Sequence, residues 1–122
     1  MTEYFLIFPQ GKSSFEPNIV GIEVNDSREL LQFFYDTIRC ESIETVKFRG
    51  LPALLAIVDE EGLFSDNKLN WIASALYGMR IFGIMVVGKT GFRDGEPDIV
   101  GFESKDEAYK ASRMMYQQYM KK

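Results

Sequence analysis

Hydrophobic and polar positions change period several times along this chain, and each change marks an element. Tyr4 to Phe8 is aromatic and aliphatic and is closed by Pro9, which predicts a first strand. Gln10 to Asn18, with Gly11 and Pro17, reads as a loop or a wide hairpin connection. Ile19 to Val24 alternates, with Val20, Ile22 and Val24 on one face of a second strand. Asp26 followed by Glu29 has the spacing of a capping box, so a helix is expected to run from there to Arg39. Leu30, Phe33, Phe34 and Ile38 form its apolar stripe, and Arg28, Gln32 and Asp36 face away.

The alternation returns at Ile43 to Phe48. Arg49-Gly50-Leu51-Pro52 reads as a turn, and Ala53 to Val58 is apolar on both faces, as a central strand covered on both sides would be. Asp59-Glu60-Glu61-Gly62 closes that strand, with Gly62 expected to supply a positive φ. After a second turn or cap at Ser65-Asp66-Asn67-Lys68, Leu69 to Tyr77 has helical spacing and ends at Gly78, well placed as a left-handed C′ residue. Ile81 to Val87 reads as a strand, Lys89 to Pro97 as a turn region centred on Asp94-Gly95, and Asp98 to Glu103 as a final strand. Ser104 with Glu107 repeats the capping-box spacing and opens a helix to Tyr119, with Lys121 and Lys122 at its C-terminal end. Ala53 to Gly88, a strand, an acidic turn, a short helix and a strand, is the unit around which the rest is expected to pack. The pattern predicts one α+β domain over residues 1–122, a mostly antiparallel sheet of about six strands with two longer helices and one short helix.

Composition narrows the function classes. A chain of 122 residues that is 46% hydrophobic and 26% charged is expected to fold as a globular domain. Its longest apolar runs, Leu54 to Val58 and Ile84 to Val87, are far too short to cross a bilayer, so no membrane partner is expected. The opening Met1-Thr2-Glu3-Tyr4 carries no basic segment, and the single Cys40 suits a reducing compartment, so the expected location is cytoplasmic. A net charge of −4 argues against direct nucleic-acid binding, which relies on clustered Lys and Arg. Interleaving 14 basic with 18 acidic residues equally argues against a phosphate-like acidic surface.

The chain contains no histidine, which removes the commonest general base and the commonest metal ligand together. Cys40 has no histidine to activate it and reads as a small half-buried residue. Asp59, Glu60, Glu61 and Asp66 lack the spacing of a calcium loop and read as solvated turn residues. Gly88-Lys89-Thr90 ends like a phosphate-binding loop, but strand formers precede it and a glycine-rich turn follows. No enzyme activity, catalytic residue, cofactor or metal is expected.

Two candidate surfaces remain. Asn67, Asn70, Trp71, Ser74 and Tyr77 lie on or beside the short helix, and Asn70, Ser74 and Tyr77 share one edge. They fit a ligand or partner surface; the plainer reading, which weighs more, is a core position for Trp71 and Tyr77 with Asn70 as cap. Tyr109, Met115, Tyr116 and Tyr119 on the last helix, with Met114 and Met120, exceed one apolar stripe. That helix either packs wholly against the sheet or leaves a patch for a second copy or another protein.

The segment Leu55-Ala56-Ile57-Val58-Asp59-Glu60-Glu61-Gly62, followed by Asn70-Trp71-Ile72-Ala73-Ser74-Ala75-Leu76-Tyr77, resembles a small domain-of-unknown-function family. Its members are accessory proteins of bacterial phages, plasmids and conjugative elements. The likeness continues through Ile84-Met85-Val86-Val87-Gly88 and Ser104-Lys105-Asp106-Glu107-Ala108. It spans residues 19–117, is densest over 53–108, and departs at Phe64-Ser65-Asp66, where a Gly-Leu-Pro-like step is expected. That family offers no catalytic residues to carry over. The resemblance implies a genomic setting, an accessory protein of a mobile element. The leading expectation is a non-catalytic protein-interaction module serving such an element, with a host defence or regulatory protein as its partner. The alternative is a protein that binds or sequesters a small, nucleotide-like ligand through the short-helix edge and the Lys89 to Asp94 segment.

Overall fold

The computed structural model describes residues 1–64 and 67–121. Six strands, β1 (Thr2–Phe8), β2 (Asn18–Glu23), β3 (Ile43–Phe48), β4 (Leu51–Asp59), β5 (Met85–Arg93) and β6 (Glu96–Val100), form one sheet. Helices α1 (Ser27–Ile38), α2 (Trp71–Tyr77) and α3 (Lys105–Met120) pack on it, and a 3₁₀ turn covers Gly62–Phe64. The order is β2-β1-β5-β4-β3 with β6 on β5, and every pairing is antiparallel, so the α+β class read from the sequence holds. No helix among the described residues is long and apolar enough to cross a membrane.

The period-2 alternation of the central strands assigns the two faces. Phe5, Ile57 and Val86 point to one side, where they meet Leu30, Phe34 and Ile38 of α1. Leu6, Phe8, Ala56, Val58, Met85 and Val87 point to the other, against Ile72, Ala73 and Leu76 of α2 and Ala108, Ala111 and Met115 of α3. Each large side chain buried this way contributes about 1.5–3 kcal/mol. The capping residues act as the spacing predicts. Asp26 accepts a hydrogen bond from the Glu29 N–H, and Ser104 from the Glu107 N–H. Glu29 returns its carboxylate to the Asn25 N–H, one residue before the cap.

β5 changes partner along its length. Met85 to Val87 pairs with β1, Lys89 to Arg93 pairs with β6, and Tyr4 bridges Phe102 where the three segments meet. Glycine permits the crowding there. A Cβ on Gly101 would stand 2.7 Å from the Glu3 Cβ and 2.8 Å from the Tyr4 carbonyl oxygen; one on Gly88 would stand 2.9 Å from the Phe5 ring.

Four local readings of the sequence change. The turn after β3 is only Arg49-Gly50, so Leu51 and Pro52 belong to β4. The register then slips: Phe48 faces Leu51 but Lys47 faces Leu55, which leaves Pro52, Ala53 and Leu54 as a bulge relative to β3. β5 begins at Met85 rather than Ile81, because residues 81–83 instead pair with the entry to α2, through Asn70 N–H to Ile81 O (2.8 Å) and Gly83 N–H to Lys68 O (2.9 Å). The strands then run to the Asp94-Gly95 turn, where both residues have positive φ, 52° and 81°. Gly62 does not supply a positive φ; it is required because a Cβ there would stand 2.6 Å from the Phe82 carbonyl oxygen.

Candidate functional site

The polar residues of the short helix turn inward. Asn70 is fully buried; its side-chain oxygen accepts from the Ala73 N–H (3.1 Å), and its amide nitrogen donates to the carbonyls of Phe8 (3.0 Å) and Gly83 (2.9 Å). One side chain thus caps α2, holds the end of β1 and fixes the approach to β5. The Ser74 hydroxyl accepts from the Ile81 N–H at 2.9 Å. The Tyr77 ring stacks on Phe48 with centroids 4.8 Å apart, and its hydroxyl donates to the Val46 carbonyl. Burial pushes that phenol well above its ordinary pKa, so it stays protonated and a donor. Asn67 donates to Asp59. The shared edge of Asn70, Ser74 and Tyr77 exists, but it faces the protein. Only Trp71 of this group is largely exposed, at 54%.

The Lys89 to Asp94 segment also has its cations engaged. Lys89 lies 2.6 Å from Glu107. Arg93 grips Glu3 with two nitrogens (2.6 and 2.9 Å) and Asp98 with Nε (2.9 Å), while Asp98 also accepts from the Ser27 hydroxyl. Burial by itself would raise the Glu3 and Asp98 pKa values. The hydrogen bonds outweigh it and hold both below the ordinary range: Arg93 and the Gly101 N–H at Glu3, and Ser27, Arg93 and the Ile99 N–H at Asp98. This clamp ties β1, β5, β6 and the start of α1 together.

The acidic turn is bonded within the protein. Asp59 accepts from the Glu61 N–H at 2.9 Å, and Glu60 accepts from the Ser42 hydroxyl. Ser65 and Asp66 lie outside the described residues. Cys40 is half-buried after α1, and burial followed by the neighbouring Asp59 raises its thiol pKa. Gly88-Lys89-Thr90 lies within strand β5, with no phosphate-binding loop around it.

α3 is different, because large apolar side chains stay exposed on its outer surface among Lys110, Arg113 and Gln117. Ala108, Ala111 and Met115 dock it on the sheet. Met115, expected among the contact residues, is fully buried, and Tyr119 is half-buried against Phe15. Tyr109 (55%), Met114 (50%), Tyr116 (45%) and Met120 (61%) remain exposed. They lie on two flanks. Tyr109, Tyr116 and Met120 follow one another at helical spacing along one side, where Tyr116 meets the edge of Phe15 from the β1–β2 loop. Met114 lies on the other side and borders a groove of about 320 Å³. The opposite wall is the β4 bulge, Pro52 and Ala53, and Phe102 contributes from the sheet.

The groove was hidden in the sequence. Leu51-Pro52-Ala53 after Arg49-Gly50 reads as the end of a turn, and only the slipped register reveals it as a wall. The available signal was that Tyr109, Met114, Met115, Tyr116, Tyr119 and Met120 spread wider around the helix than one core-facing stripe.

Comparisons of the chain with protein-family models, with curated proteins and with solved structures each find no match.

Proposed function

We propose that this chain is a non-catalytic accessory protein that works through protein–protein interaction, with α3 as its contact helix. The observation that carries the reading is that one 16-residue helix keeps four large apolar side chains, Tyr109, Met114, Tyr116 and Met120, in solvent while docking through Ala108, Ala111 and Met115. Aromatic residues and methionine are enriched at contact surfaces relative to the remainder of a protein surface. The polar candidates elsewhere, Asn70, Ser74, Tyr77, Lys89 and Arg93, spend their hydrogen-bonding groups on the fold. That favours a contact module over the small-ligand alternative. The setting in a phage or conjugative element, with a host defence or regulatory protein as partner, rests on the sequence resemblance of residues 53–108.

The reading is tested with the tagged full chain and its Tyr109→Ser/Met114→Ser/Met120→Ser variant, purified in parallel from cells that carry the protein. The substituted residues are at least half exposed, so the variant is expected to melt within a few degrees of the wild type. A protein that co-purifies with the wild type and with Leu31→Ser on α1, but not with the triple variant, supports the reading. Equal recovery on all three removes α3 as the contact surface.

A further inference from the structure

We infer that the chain pairs with a second copy of itself through the outer edge of β2, in a two-fold antiparallel contact centred on Gly21. The inference goes beyond the α3 reading and does not depend on it.

The hydrogen bonds of β1 decide which groups β2 leaves free. In an antiparallel ladder each residue turns its N–H and C=O to the same side, and the side alternates along the strand. Tyr4 exchanges both bonds with Phe102, so it points away from β2. The residues beside it, Glu3 and Phe5, therefore face β2, and the bond from the Val24 N–H to the Met1 carbonyl continues the same series. Through the register Glu3–Ile22, Phe5–Val20 and Ile7–Asn18, those residues of β2 turn inward. Ile19, Gly21 and Glu23 turn their N–H and C=O groups outward, where no described residue bonds them.

This edge is the least protected of the sheet. β3 sets Glu44 and Lys47 in solvent at the opposite edge, and β6 contains Pro97; both devices oppose strand addition. From Asn18 to Ile22, β2 has no charge and no proline. Its one charge, Glu23, is held by the Met1 ammonium at 3.1 Å and by the Thr2 hydroxyl.

An extended strand is what satisfies such an edge, and β2 fits itself. The two-fold axis of an antiparallel pair stands normal to the sheet, so opposed residues differ by an even number and share a face. Centred on Gly21, the axis sets Ile19 of each copy against Glu23 of the other, and Gly21 against Gly21. All three outward residues are then paired, with six interchain hydrogen bonds. Moved one residue earlier, the axis sets Glu23 against Pro17, which has no N–H. Moved one later, it sets Ile19 against Asn25, whose N–H is already bonded to Glu29. On the face that carries α1, half-buried Val20 of one copy meets half-buried Ile22 of the other, and such β-branched pairs stabilise a sheet. One self-complementary edge per copy closes the contact at two chains. Both α3 helices then lie on the same face of the joined sheet.

The test begins with the wild-type chain. Sedimentation at up to about 1 mM is expected to give twice the 14.0 kDa chain mass, and Val20→Lys to return it to 14.0 kDa. Amide exchange followed by NMR is expected to show the Ile19, Gly21 and Glu23 N–H groups protected only as the dimer forms, and those of Val20 and Ile22 protected throughout. Val20→Cys and Ile22→Cys, each in a Cys40→Ser chain that thermal melting shows to be folded, are expected to form a disulfide when mixed and none alone. A wild-type mass of one chain at every concentration, with the three amides unprotected, overturns the inference and leaves the α3 reading standing. A dimer whose three amides exchange freely places the contact elsewhere and overturns it as well. A disulfide formed by Val20→Cys alone moves the axis to Val20 and overturns the pairing at Gly21.

Discussion

The Asn70 side-chain nitrogen lies 3.0 Å from the Phe8 carbonyl oxygen, a buried bond across 62 positions of sequence. The same amide reaches Gly83, and the same side chain caps α2. Replacing Asn70 by Ala removes a cap worth about 1 kcal/mol and strands buried carbonyls at about 1–3 kcal/mol each. A loss of about 3 kcal/mol is therefore expected in urea unfolding. Asn70→Asp separates the two roles. An aspartate caps as well as asparagine but has no N–H for Phe8 and Gly83 and sets a buried carboxylate against their oxygens. Asp is therefore expected to cost more than Ala if the bridging bonds matter, and a neutral result leaves only the cap.

The remainder of α2 divides in the same way. Trp71→Ala is expected to change stability by less than about 1 kcal/mol, because the side chain is half in solvent. Tyr77→Ala loses the stack on Phe48 as well as the bond to Val46 and is expected to cost about 3 kcal/mol, with Tyr77→Phe costing about 1. Denaturant midpoints of the three variants check the order.

Gly101→Ala forces a methyl group against Tyr4, Glu3 and the Phe5 ring, so it is expected to cost more than about 3 kcal/mol and to reduce the soluble yield. Gly95→Asn is the control. Its φ of 81° suits asparagine better than other side chains and nothing lies within 4 Å, so the expected loss is below about 1 kcal/mol.

The Arg93 clamp sets an acid limit on stability. Glu3 and Asp98 have folded pKa values depressed below their ordinary 4.5 and 3.8. Their contribution is therefore fully present above the unfolded values and is lost as pH falls below them through the folded ones. Urea midpoints are expected to hold from pH 7 to near 5 and then to fall. Arg93→Met is expected to lower the midpoint at pH 7 and to flatten the fall, because without the guanidinium the two carboxyls no longer favour ionisation. An equally steep fall in the variant would place the acid sensitivity elsewhere.

These contrasts explain which parts of the molecule were legible beforehand. Capping residues, the Asp94-Gly95 turn and the doubly apolar β4 depend on neighbours in sequence, and they were readable. The side of α2 that Asn70, Ser74 and Tyr77 face depends on where residues 81–83 return, and spacing alone gives an edge without saying what lies against it. Gly62 shows the same limit: its need for a bare Cα comes from Phe82, twenty residues away in the chain but in contact across the fold. The β4 bulge is a register event between two strands, and neither strand announces it.

On the proposed reading, the outer surface of α3 meets another protein. The most direct measurement is photocrosslinking in cells that carry the protein, with a photoreactive phenylalanine analogue placed singly at Met114, at Met120 and, as a control, at Leu31 on α1. A discrete adduct is expected from the α3 positions that the Leu31 probe does not give. An adduct from Leu31 alone, or none from α3 while the native chain still co-purifies a partner, would contradict it.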